Sequence, residues 1–211
     1  MLYKDIWEKA HMQKEEFDMK KNIENNTYTG EIQGSQQRVA KLAKLGMLGA
    51  ISIVLVSFIH FPIFPAVAYL EYDPADIAIF MGAFAFGPLA GFGLTVVASV
   101  IQGLTVSAQS GPYGIIMHIL ATGSFVLIAG TIYQRGKSRK SAVTGLIFGT
   151  LTMVVVMFGA NLVVTPLFTG LHLSAIKPLM PFILAFNFIK AGVNSVITFL
   201  LYKRISKFLH R

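Results

Sequence analysis

Long apolar runs, separated by short polar or basic segments, make up most of the chain after residue 36. Hydrophobic residues account for 54% of the 211 positions and charged residues for 13%. A run of about 20 apolar residues can cross the hydrocarbon core of a bilayer as a helix, whereas a soluble domain of this composition would expose large apolar patches. The sequence therefore predicts an all-α protein that crosses the membrane several times.

The charges follow the ends of these apolar runs. The formal net charge is +8, although residues 1–35 carry more acids than bases. After residue 35 there are three acids, Glu71, Asp73 and Asp76. The basic residues form clusters at 38–44, 135–140 and 203–211. Because basic clusters at the ends of membrane spans mark the cytoplasmic side, topology explains the charge and we expect no nucleic-acid partner.

Residues 1–35 are too polar to form the apolar core of a signal peptide. They predict a short amphipathic helix followed by a linker, "NNTYTGEIQGSQQ", which is rich in glycine and amides. We interpret residues 1–35 as a cytoplasmic extension and residues 36–211 as the membrane domain.

The number of spans depends on how the apolar stretch 77–106 is divided. As one helix it would give five spans and would place the basic loop 135–140 opposite the basic N-terminal flank. Pro88, in "FGPLAG", disfavours helical geometry at Gly87, so the stretch divides there. We therefore expect a compact bundle of six transmembrane helices with both termini in the cytoplasm. The spans lie at about 42–59, 77–86, 89–106, 113–133, 141–164 and 180–202.

The sixth span contains an unusual polar face. Asn187, Lys190 and Asn194 are spaced i, i+3 and i+7, which places them on one side of a helix. A lysine in a membrane helix costs about 2.5–3.5 kcal/mol on insertion scales, so it needs a carboxylate, a carbonyl or a ligand. We expect Lys190 to bind a ligand. Because the spans themselves contain no acid, its possible carboxylate partners are Glu71, Asp73 and Asp76 in the outer loop, and we expect Glu71 to pair with it when no ligand is bound.

Polar residues in other spans lie at a similar depth below the outer surface. They are Gln102 in the third span, His118 in the fourth and Asn161 in the fifth. Together with Lys190 they predict a pocket that opens to the outside. For Gln102 and Asn194, hydrogen bonding between helices is the favoured interpretation, while His118 is equally consistent with packing and with ligand contact.

Enzyme chemistry has little support, because the chain has no HExxH, GxSxG or Walker A motif and no pair of carboxylates within its spans. We expect no catalytic residues, no cofactor and no metal. Small residues mark two helix faces, Gly46 with Ala50 and Gly145 with Gly149. The second pair is interpreted as packing within the bundle. For the first, packing and the docking of a partner remain open.

Four stretches resemble one transporter family over about residues 38–209. They are "LGMLGAISIVLVSFIHFPI", "YLEYDPADIAIFMGAFAFGPLAG", "GPYGIIMHILATGSFVLIAG" and "FNFIKAGVNSVITFLLYKR". The combination is similar to the S components of energy-coupling factor (ECF) transporters, most closely the riboflavin-specific type. The resemblance implies a substrate-binding subunit in the cell membrane that docks on a transmembrane coupling subunit, with ATP hydrolysed by two further subunits.

The resemblance also implies roles for individual residues. The coupling surface would be Gly46, Gly49 and Ala50. The loop that closes over the ligand would contain Tyr69, Leu70 and Glu71, and riboflavin would be hydrogen-bonded by Asn161, Asn187 and Lys190. Two features depart from the family pattern: the extension of residues 1–35, and Glu71 in place of a small hydroxyl residue. The alternatives are another vitamin or a nucleobase-like precursor as ligand, an intramembrane enzyme, or a scaffold without a ligand.

Overall fold

The computed structural model describes the backbone from Leu2 to Leu209, and it describes the side chains except those of residues 1–10, 18, 22–31 and 203–211. The helices of this part of the chain are α1 (Leu2–Phe58), α2 (Ala75–Phe86), α3 (Pro88–Leu104), α4 (Gly111–Gly136), α5 (Arg139–Thr169), α6 (Leu173–Ile176) and α7 (Met180–Leu209). Two short antiparallel strands, β1 (Phe61–Pro62) and β2 (Glu71–Tyr72), lie in the segment between α1 and α2.

Each predicted span coincides with one helix, so the prediction of an all-α membrane bundle is confirmed. Among the residues that the structure describes, four helical segments are long and apolar enough to cross a membrane: Ile32–Phe58, Ala108–Gly136, Arg139–Thr169 and Leu173–Tyr202. Helices α2 and α3 are apolar but shorter. The chain is a multi-pass membrane protein.

The chain divides into two units, Met1–Ala43 and Lys44–Arg211. The predicted boundary at residue 35 stays a prediction. The linker predicted at "NNTYTGEIQGSQQ" is wrong, because α1 continues through it without a break. A continuous helix is possible because the first proline of the chain is Pro62, so every earlier residue keeps the backbone N–H that a helix requires.

The break between α2 and α3 lies at Gly87 and Pro88, as predicted. Gly87 has φ of +98°, a conformation that residues with a Cβ rarely adopt. Its N–H closes α2 by donating to the carbonyl oxygen of Ala83 (3.0 Å). Pro88 then occupies the first turn of α3, where its missing N–H removes no helical hydrogen bond.

The close contact between α2 and α3 requires a glycine at position 91. A Cβ on Gly91 would collide with the Cβ of Ala83 and would lie 2.8 Å from its Cα. We expect Gly91→Ala to destabilise the bundle by about 1–3 kcal/mol, the usual range for overpacking. Gly93→Ala is the matched control, since no other described atom lies within 4 Å of the added methyl. Thermal unfolding in detergent should show a lower midpoint for the first variant alone, and equal midpoints would contradict this packing.

The core of the second unit forms where α2, α4 and α5 pack together. Phe80 of α2 stacks on Phe125 of α4, with ring centroids 3.7 Å apart. On α5, Gly145 lies against the carbonyl oxygen of Ala129 (2.8 Å from an added Cβ), and Gly149 lies against Phe125 and Ala129. The interpretation of these two glycines as packing residues is therefore confirmed.

The segment between α1 and α2, residues 59–74, is called the α1–α2 segment and is anchored to the helices at one end of the bundle. Its Val67 is fully buried in a small apolar cluster with Ile176, Met180 and Ile183. Because these partners belong to α6 and to the beginning of α7, residues 64–70 lie over that end of the bundle. This placement brings the segment to the cavity described next.

Candidate functional site

A cavity of about 380 Å³ lies between the α1–α2 segment and helices α3, α4, α5 and α7. Its volume is within the range of about 300–1,000 Å³ that is typical of small-molecule sites. The apolar part of the wall includes Met117, Ala121, Met153, Met157, Phe168 and Phe186. Polar side chains from the segment and from three helices complete it, so the cavity is suited to a ligand with an apolar body and polar edges.

All but one of the residues expected at the site line this cavity. They are Tyr69, Leu70, Glu71, His118, Asn187 and Lys190. The exception is Asn161, which is fully buried in α5. Its Nδ2 donates to the carbonyl oxygen of Met157 (2.8 Å), and its Oδ1 accepts from Thr165 (2.7 Å). A role for Asn161 in ligand binding stays a prediction.

Lys190 is held by two carboxylates. Its Nζ donates to Asp73 Oδ2 (2.6 Å) and lies 4.0 Å from Asp76 Oδ2. The prediction that Glu71 pairs with Lys190 is therefore wrong. Glu71 belongs to β2 and lines the cavity while partly exposed; the carboxylate that reaches the lysine is two residues further along.

The position of Asp73 is fixed by neighbouring hydrogen bonds. Its Oδ1 accepts from the N–H of Ala75 (3.0 Å) at the start of α2. Its carbonyl oxygen accepts from Asn194 Nδ2 (3.1 Å), and Asn194 Oδ1 accepts from the hydroxyl of Tyr72 (3.0 Å). Asn194 thus ties the α1–α2 segment to α7, a packing role, although the sequence favoured a partner on a neighbouring helix.

Asp76 is a buried acid within a span, where we expected none. Helix α2 begins at Ala75, two residues earlier than predicted, so Asp76 lies in its first turn, where a negative charge is favoured. The side chain is fully buried. Its Oδ1 accepts from Thr122 Oγ1 (2.8 Å) and from His118 Nε2 (3.0 Å), which links α2 to α4.

Both ring nitrogens of His118 have a hydrogen-bond partner. Nε2 faces the carboxylate of Asp76, which can only accept when ionised. Nδ1 lies 3.0 Å from Ser99 Oγ, and that hydroxyl already donates to the carbonyl oxygen of Thr95 (2.7 Å). The ring of His118 therefore joins Asp76 of α2 to Ser99 of α3.

Tyr69 contributes a partly buried phenol to the cavity wall. Burial raises the pKa of Tyr69 above its ordinary value, and the neighbouring Thr165 side chain lowers it by a smaller amount. The hydroxyl therefore stays protonated at neutral pH. Since Thr165 also donates to Asn161, this pair of α5 residues lies directly behind Tyr69.

Asp73, Asp76 and Gln102 belong to the site, although the sequence analysis did not select them as binding residues. The two acids were assigned to the outer loop, although acids directly before an apolar run also mark the first turn of a helix. Gln102 was interpreted as a packing residue. In the structure it lines the cavity and its Nε2 has no hydrogen-bond partner among the described residues.

The small-residue face of α1 is divided between packing and exposure. Gly46 and Ala50 are exposed, and no other described atom lies within 4 Å of a Cβ built on Gly46. Gly49 instead packs towards α3, where an added Cβ would lie 3.2 Å from Leu94 Cδ1. A docking role for the three residues stays a prediction.

Comparisons with known proteins agree with this architecture. Residues 40–202 match the family described as "ECF transporter, substrate-specific component". The chain is 35% identical over 154 residues to the riboflavin transporter RibU of Staphylococcus aureus (strain TCH60), covering 68% of this chain and 78% of that protein. It is 29% identical over 152 residues to the riboflavin transporter FmnP of Bacillus subtilis (strain 168), covering 68% and 80%.

Two solved structures have the same fold. One, described as the S component of a bacterial ECF transporter, has a TM-score of 0.70 and 35% identity, covering 82% of this chain and 99% of that one. The second is ThiT from Listeria monocytogenes, with a TM-score of 0.60 and 17% identity over 82% and 98% of the two chains, which is a likeness of fold alone. The family match over residues 40–202, on a membrane bundle that encloses a ligand-sized cavity, shows that the chain belongs to the substrate-specific components of ECF transporters.

Proposed function

We propose that this S component binds riboflavin from outside the cell and delivers it to an ATP-driven importer. The observation that carries the proposal is the cavity itself, where the polar face of α7 and the α1–α2 segment line one ligand-sized space. The relatives at 35% and 29% identity are riboflavin transporters, which makes riboflavin the first ligand to test.

The chemistry of the wall suits a flavin. A flavin has a flat, largely apolar ring system, one edge rich in carbonyl and N–H groups, and a polyol chain. Met117, Met153 and Met157 offer flexible thioethers that can pack on the ring. Asn187 and Lys190 lie near each other on α7 and offer an amide and an ammonium group to the polar edge.

Lys190 can serve the ligand while keeping its ion pair. An ammonium group carries three hydrogens, and one of them is used by Asp73. A remaining N–H can donate to a ligand carbonyl without exposing the carboxylates. Because riboflavin is uncharged, a lysine that is already paired with a carboxylate suits the site better than an unpaired charge would.

The subunit works within an ECF transporter complex, as the family does. We propose that the exposed part of the α1 face, Gly46 and Ala50, contacts a transmembrane coupling subunit. Two ATP-binding subunits would supply the energy, and the S component itself would perform no catalysis. The α1–α2 segment would close over the bound vitamin before it is released inside.

The test is a riboflavin titration of the purified protein in detergent, following the quenching of flavin fluorescence. We expect saturable binding with a submicromolar Kd and one site per chain. Thiamine and other unlabelled vitamins should compete poorly. A folded, monodisperse sample that binds no riboflavin would contradict the proposal and would direct the search to other vitamins, with Glu71 as the residue that differs from the riboflavin type.

A further inference from the structure

Gln102 has the features of a ligand-binding residue that lacks its ligand. It lies in the last turns of α3, lines the cavity and is only 6% exposed. Its Nε2 is buried, and no hydrogen-bond acceptor for it is found among the side chains and backbone that the structure describes. A buried donor without an acceptor costs free energy, so a bound molecule that supplies an acceptor would be favoured there.

Gln134 shows what a packing glutamine looks like in the same protein. It lies in α4, and its Nε2 donates to the carbonyl oxygen of Phe84 (2.9 Å), near the end of α2. The interpretation of Gln102 as a packing residue would require a comparable bond. The contrast between the two side chains favours a ligand for Gln102.

The wall around Gln102 is polar and uncharged. Besides Gln102, the cavity lining contributed by α3 and the segment before α4 contains Ser99, Gly103, Ser107, Gln109 and Ser110. The ionic groups Asp73 and Lys190 lie on the α1–α2 segment and on α7 instead. Hydroxyl and amide groups can each pair with a hydroxyl, which both donates and accepts. This wall therefore fits a polyol, whereas α7 fits the polar edge of the ring.

We infer that Gln102 binds the ligand through its Nε2, which donates to a hydroxyl oxygen of the ribityl chain. The inference rests on riboflavin as the ligand. It assigns the two polar parts of the vitamin to two different walls of the cavity, the chain to α3 and the ring edge to α7.

The test compares two flavins on the Gln102→Met variant. Riboflavin carries the ribityl chain, and lumiflavin has the same ring with a methyl group in its place. We expect the Kd for riboflavin to rise about 3- to 10-fold, the effect of one neutral hydrogen bond, and the Kd for lumiflavin to stay as in the wild type. The unfolding midpoint without ligand should be unchanged or higher, because the substitution removes an unpaired buried donor.

Gln134→Met is the matched control. It removes a hydrogen bond within the protein, so its unfolding midpoint should fall while its Kd for riboflavin stays the same. An unchanged Kd for riboflavin in Gln102→Met would overturn the inference. An equal loss for both flavins would also overturn it, since the contact would then lie with the ring. Failure of the wild type to bind riboflavin would instead overturn the proposed function, and this inference with it.

Discussion

Replacing Lys190 by methionine should weaken riboflavin binding at least about ten-fold and also destabilise the ligand-free protein. Methionine matches the length and apolar part of the lysine stem but carries no charge. The variant leaves Asp73 without its cation and removes the ammonium group that lies 4.0 Å from Asp76. Removing one partner of a buried ion pair typically costs about 3–5 kcal/mol, because the remaining charge is buried without compensation.

Two measurements separate the effects on stability and binding. Thermal unfolding without ligand reports the lost ion pair, and the riboflavin titration reports the lost hydrogen-bond donor. In the double variant Asp73→Asn, Lys190→Met, the unpaired carboxylate is gone, so we expect part of the stability to return. Affinity should stay low in both variants, because neither has the ammonium group.

Lys177→Met is the control for lysine replacement in general. Lys177 is exposed and lies outside the cavity, so its replacement should change neither the unfolding midpoint nor the Kd. If Lys190→Met behaved in the same way, the lysine would have neither a structural nor a binding role. If the double variant recovered affinity as well, the loss in Lys190→Met would come from the unpaired carboxylate of Asp73, and the ligand would not require the ammonium donor.

Replacing Asp76 should give the second large effect, mainly on stability. In Asp76→Ala, His118 Nε2 and Thr122 Oγ1 both lose their acceptor, and a cavity replaces the carboxylate. We expect a loss of about 3–5 kcal/mol, since a buried charged group is removed while its partners remain. Asp76→Asn keeps one acceptor oxygen and should lose less. Both variants lack the charge, so the difference between their unfolding midpoints reports the retained acceptor and the filled space, and the difference between Asp76→Asn and the wild type reports the charge.

His118 connects this prediction to the ligand. The ring lines the cavity and is held by Asp76 on one side and Ser99 on the other. Both Asp76 variants should therefore bind riboflavin more weakly. As a control, Glu16→Gln removes an exposed acid that pairs with Lys20 (2.8 Å) and should have no measurable effect. Equal midpoints for Asp76→Ala and the wild type would show that the buried network does not stabilise the bundle.

Several features of this protein could be read from the sequence because they depend on local chemistry. The length of the apolar runs predicts the membrane helices. Gly87 followed by Pro88 predicts the break between α2 and α3, since it depends on the backbone of two adjacent residues. The i, i+3, i+7 spacing of Asn187, Lys190 and Asn194 predicts their shared face for the same reason.

Other features depend on which helices become neighbours, and no local pattern contains that information. Glu71, Asp73 and Asp76 were all possible partners of Lys190, and the sequence analysis favoured Glu71. In the structure Lys190 lies beside Asp73 and Asp76 instead. Gln102 and Asn194 were both interpreted as packing residues. In the tertiary structure Asn194 forms two hydrogen bonds with the α1–α2 segment, whereas Gln102 lines the cavity.

The sequence by itself determined the membrane bundle, the break between α2 and α3 and the side chains available to a site. The tertiary structure decided which carboxylate holds the lysine, which amides are satisfied and which face a ligand. The physical reason is the separation of the interacting residues along the chain. Helix length and helix breaks depend on residues a few positions apart, whereas Lys190 and Asp73 are 117 positions apart. Such a pair forms only where the packed helices bring the two side chains within hydrogen-bond distance.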